Sequence, residues 1–99
     1  MLLAAAPAVA AAAGAGEDWA RQKCDLYAAA WQRVLETADL QDIGAEFLSA
    51  HQRFIDRGCD PEVRVCARTP PEIALADLLT VLSMNEGMAS TFVPFGCPK

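Results

Sequence analysis

Four cysteines, one histidine and two spaced methionines are the residues of this chain with the widest chemical reach. Cys24, Cys59, Cys66 and Cys97 are separated by 34, 6 and 30 intervening residues. Structural zinc sites bring their ligands in close pairs, with about two to four residues between them. No pair here is that close, so a zinc centre is not expected. An even set of cysteines in a small chain reads instead as two disulfides. His51 is the sole histidine, three residues after Leu48 and four before Ile55. That places it on the flank of an apolar stripe, where a half-buried structural role is expected. With every thiol bridged, no cysteine is left as a nucleophile for it to activate.

Met84 and Met88 stand four residues apart. Thioethers bind copper(I), which makes a copper-handling protein the first alternative reading. The commoner use of such a pair is to fill irregular core space. Asp42 and Glu46 are paired acids one turn apart, expected to face water. Asn85, Glu86, Ser90 and Thr91 cluster around Gly87, a grouping that suits helix capping and turns. Nothing pairs a nucleophile with a base, or two carboxylates in an acid–base arrangement. The sequence therefore predicts no enzyme, no catalytic residues, no cofactor and no resident metal.

The chain has 99 residues and a formal net charge of −5. One domain is the most that length holds. An acidic surface repels phosphate backbones and anionic headgroups, so nucleic acid is not an expected partner. Residues 1–15 are almost wholly apolar and mostly Ala. Small residues at Ala11, Ala13 and Ala15 suit signal-peptidase cleavage between 13 and 16, and acidic Glu17 and Asp18 follow. Residues 1–15 thus read as a cleaved signal peptide and 16–99 as a single disulfide-stapled domain, with no stable membrane insertion after cleavage. Arg outnumbers Lys and Ala is frequent, a usage that suggests a GC-rich bacterial genome. The expected compartment is the bacterial periplasm, with the extracellular space as the alternative.

The elements that must carry these residues are three helices. Ala20, Cys24, Tyr27, Trp31, Val34, Leu35 and Ala38 recur at helical spacing and predict a first helix over 17–38. Glu17–Arg21 and Arg21–Asp25 are charge pairs one turn apart on its outer side. Asp39 is the expected N-cap of a second helix carrying Leu40, Ile43, Phe47, Ala50 and Phe54, and Gly58 is its stop. Residues 59–68 read as a polar connection. Thr69-Pro70-Pro71-Glu72 combines a capping threonine, a first-turn proline and a capping-box glutamate, and starts a third helix over 70–85. That helix is apolar on nearly every side, which predicts a central, buried position. Gly87 ends it. Phe92, Val93 and Phe95 in the tail need a groove between helices.

The expected fold is thus all-α: a small three-helix bundle with an irregular C-terminal tail packed back on it and two disulfides. Up-down-up packing gathers the cysteines near one end of the bundle. Cys59–Cys66 with Cys24–Cys97 is the favoured pairing, and Cys24–Cys59 with Cys66–Cys97 is the alternative. Trp19, near the mature N-terminus, is the candidate exposed anchor for a partner surface. Small size, stapling and the lack of catalytic sets point to a non-enzymatic binding or interaction module with an unidentified protein partner. A periplasmic stress chaperone is a further alternative, by analogy of size and helical content only.

Overall fold

A computed structural model describes residues 15–98 and shows an all-helical protein. Most of the expected signal peptide lies outside the described residues. Three helices follow in order: α1 (Ala15–Thr37), α2 (Ala45–Asp56) and α3 (Pro70–Asn85), with a 3-10 turn at Ser90–Phe92. Among the described residues, no helix is long and apolar enough to cross a membrane.

The face of α1 that turns inward carries Tyr27, Ala30, Trp31 and Val34, all buried. Leu35, expected on that face, is instead 40% exposed. Arg21 pairs with Asp18 at 2.9 Å, and among the described residues not with Asp25. The pair is open to water and contributes little.

The second helix starts later than Asp39. The Asp39 carboxylate accepts from the Gln41 N–H at 3.0 Å, which makes a local turn, and α2 begins after Gly44. The cause lies in α3. Glu72 accepts from the Gly44 N–H and from the Arg68 N–H, both at 2.9 Å, so one carboxylate ties the start of α2 to the start of α3. Thr69 caps α3 as expected, its hydroxyl accepting from the Glu72 N–H at 3.3 Å. Glu72 is 6% exposed, and its backbone donors hold its carboxyl below the ordinary carboxylate range. Glu72→Ala strands two backbone donors. It is expected to cost about 2 kcal/mol, read from urea denaturation. Glu72→Gln should recover part of that, because its amide oxygen still accepts from one of them.

Two glycines end the helices by the same geometry. After α2, the Gly58 N–H donates to Ile55 O at 2.9 Å and the Cys59 N–H to Phe54 O at 2.8 Å. After α3, the Gly87 N–H donates to Met84 O and the Met88 N–H to Ser83 O, both at 3.0 Å. Each is a Schellman motif, which needs a left-handed residue. Gly58 and Gly87 supply it with φ of 76° and 90°. Cys59 continues the left-handed turn with φ of 60°, uncommon for a residue with a Cβ.

That turn decides the disulfides. It directs Cys59 back to α1, where it bonds Cys24, and Cys66 bonds Cys97. The favoured pairing, Cys59–Cys66 with Cys24–Cys97, is corrected to its alternative. The connection after Cys59 is also more than polar. Val63 and Val65 are buried, and Val65 forms a parallel bridge with Phe95. The Val65 N–H donates to Pro94 O and the Gly96 N–H to Val65 O, both at 3.0 Å. The tail and the connection therefore lie side by side, which brings Cys97 to Cys66.

The tail packs back on the helices as expected. Phe92 meets the rings of Tyr27 and Phe54 edge-on, and Phe95 stacks on Phe47 and His51. The third helix is not central. It packs on α1 and the 3-10 turn through Leu75, Ala76, Leu79 and Ser83, and leaves its other side open.

Candidate functional site

His51 is fully buried, not half-buried. Trp31 meets it edge-on, while Phe47 and Phe95 stack near it. Its Nε2 lies 2.6 Å from the Tyr27 hydroxyl oxygen, and its Nδ1 has no partner among the described residues. Counting donors selects the tautomer. If Tyr27 O–H donates to Nε2, one N–H at Nδ1 is left over. If Nε2–H donates instead, both the phenolic proton and the Nδ1 lone pair go unmet. The first arrangement leaves fewer groups stranded, so Tyr27 donates and Nδ1 holds the imidazole proton. Burial lowers the His51 pKa to about 4 and pushes the Tyr27 phenol well above its ordinary value. The pair is therefore neutral at pH 7. It lies closed within the core, with no described carboxylate in hydrogen-bond reach of the ring.

The two methionines do not converge. Met84 is exposed on α3, whereas Met88, past the Gly87 turn, is buried in the core. Among the described residues, no group of three His, Cys, Asp or Glu side chains is placed to hold a metal ion. Trp19 is 40% exposed, with the Lys23 ammonium 5.9 Å from its ring and 5.4 Å from that of Phe92. The Lys23 side chain thus links Trp19 to the tail.

The most extensive candidate surface was not foreseen. Ile73, Leu78, Val81 and Met84 on α3 are 48%, 44%, 53% and 52% exposed. At 3.6 residues per turn they, with Ala74 and Asp77, spread over roughly 140° of the helix. Asp77 lies near the middle of that arc and is its one charged residue. The four large side chains offer on the order of 350 Å² of apolar surface, the size at which a patch on a small protein is often functional. The periodicity that would have marked this face was hidden. A helix with one face in the core and another meant for a partner has the same apolar circumference as a buried helix.

Comparisons with protein-family models, with curated proteins and with solved structures return no match for this chain.

Proposed function

We propose that this chain is an exported, non-enzymatic interaction module that docks a partner protein on the outward face of α3. The observation that carries the reading is the run Ile73, Leu78, Val81 and Met84, apolar and open to water. Covering it would release about 9 kcal/mol before the costs of association. Two disulfides support an oxidising compartment, where such bridges persist. In this reading the residues 1–15 are removed on export to the periplasm or the medium.

Charge selects the kind of partner. A second copy packed across a two-fold axis would set Asp77 near Asp77 and bring together two chains of net charge −5. A different protein with an apolar ridge and a basic residue opposite Asp77 meets the face without that repulsion. The test is affinity capture from the native compartment with the oxidised protein, beside Val81→Glu and Asp77→Lys. Both positions are exposed, so thermal stability should hold. A captured protein lost with each variant is the expected result. Capture that ignores both substitutions, or no capture at all, overturns the reading. A wild-type dimer in sedimentation, dissolved by Val81→Glu, would replace the partner with a second copy.

A stress chaperone is the second reading, favoured by buried His51. Protonation of its ring in acid would loosen the aromatic core. Suppression of client aggregation below about pH 4 is its expected signature, and a protein still native there ends it.

A further inference from the structure

The chain is acidic, yet three of its six arginines gather at one concavity. Arg53 comes from α2, and Arg64 and Arg68 from the connection to α3. They rim a cavity of about 220 Å³ whose wall includes Phe47, Ala50 and Cys66. Like charges do not collect beside an apolar wall without cost, and these have only one carboxylate among them. Glu46 takes Arg68 at 3.2 Å. Arg53 makes no ion pair with a described residue, and Arg64 reaches only the Phe95 carbonyl, at 3.4 Å. Two guanidinium groups thus keep most of their donors free at the mouth of one cavity.

The position of Arg64 is built into the tail. A Cβ on Gly96 would lie 2.5 Å from Arg64 Nη2 and 3.3 Å from its Cζ. The bare glycine lets the guanidinium tip approach the tail backbone closely. The Val65–Phe95 bridge and the Cys66–Cys97 disulfide fix that backbone beneath it. The backbone that positions Arg64 is thus fixed by hydrogen bonds and by a covalent bridge, as the support of a binding group must be.

We propose that this cavity is a binding site for an organic carboxylate with a short apolar body. The guanidinium forks of Arg53 and Arg64 match the two carboxylate oxygens, a geometry Lys does not offer. The wall of Phe47, Ala50 and Cys66 takes the apolar part. The volume suits a small molecule or a single terminal residue, not a larger ligand. The same chemistry comes from two sources, a free small acid or the C-terminal carboxylate of a partner chain.

The test is an NMR titration of the oxidised protein with benzoate, with inorganic phosphate, and with a dipeptide ending in Phe as free acid and as amide. The amides of Gly96 and Ala67 and the Arg64 side chain are followed, at about 0.15 M salt. Benzoate or the peptide acid is expected to saturate with Kd below about 1 mM. Arg53→Gln and Gly96→Ala should each weaken that binding about tenfold or more. Arg53 is exposed, so Arg53→Gln should leave the melting temperature unchanged, which separates lost binding from lost fold. An acid peptide that outbinds benzoate and fails as the amide assigns the site to a chain terminus. Benzoate binding at least as tightly assigns it to a free acid. Phosphate shifting the same resonances as strongly as either carboxylate would overturn the proposal, as would binding that survives Arg53→Gln.

Discussion

Reduction of both disulfides is expected to unfold this protein at about 37 °C. The Cys24–Cys59 bridge spans 35 residues and the Cys66–Cys97 bridge 31. Loop-closure entropy assigns each about 3.7 kcal/mol, so about 7 kcal/mol together. Domains of this size are stable by only about 4–13 kcal/mol in total. Removing the two bridges therefore takes away most of the margin. The Cys24→Ser, Cys59→Ser double variant tests half of the effect without a reductant. It should lose about 4 kcal/mol in urea denaturation, and should also release Cys59 from its left-handed turn. A reduced protein with an unchanged far-UV spectrum and a cooperative thermal transition would contradict the argument.

Acid is expected to have the next largest effect. The His51 pKa falls from 6.5 to about 4 on folding. Between those values the unfolded chain binds a proton that the native protein does not. Stability therefore rises with pH across the window and is lost as pH falls from about 6.5 towards about 4. The shift corresponds to about 3 kcal/mol. Tyr27 is the only titratable group in hydrogen-bond contact with the ring among the described residues, so no carboxylate offsets the loss. Glu72 adds to it at lower pH. Its depressed pKa contributes stability that is present above the ordinary carboxylate range and lost as pH falls below it. Replacing both members of the dyad, Tyr27→Phe with His51→Phe, removes every stranded polar group and the proton-binding site together. That variant should hold its urea midpoint from pH 7 down to about 5, while the wild type declines. Tyr27→Phe alone leaves both imidazole nitrogens unmet and should be less stable than the double variant.

The sequence revealed local geometry better than long-range pairing. Thr69, Pro70 and Glu72 marked the start of α3, and Gly58 and Gly87 marked the stops, because those devices act within a few residues. The start of α2 was misplaced for the opposite reason. It depends on the Glu72 carboxylate reaching Gly44 from 28 residues away. The disulfide partners hinge on Cys59 adopting a left-handed conformation that its side chain disfavours, which no residue type announces. Val63 and Val65 did leave a trace, since buried valines alternate with exposed Arg64 over three residues. That run is too short to separate from a loop by period alone. The open face of α3 was misread as core because composition reports how apolar a helix is, not what covers it. The arginine cavity was invisible for a similar reason: Arg53 joins Arg64 and Arg68 only when the connection folds against α2.

Trypsin digestion of the protein purified without reductant from its native source, followed by mass analysis without reduction, tests the covalent frame most directly. Peptide 24–33 should appear joined to 58–64, and 65–68 joined to 69–99. A 58–64 fragment joined to 65–68, or four free thiols, would contradict it. Either result would remove the support beneath the tail, the arginine cavity and the placement of α3.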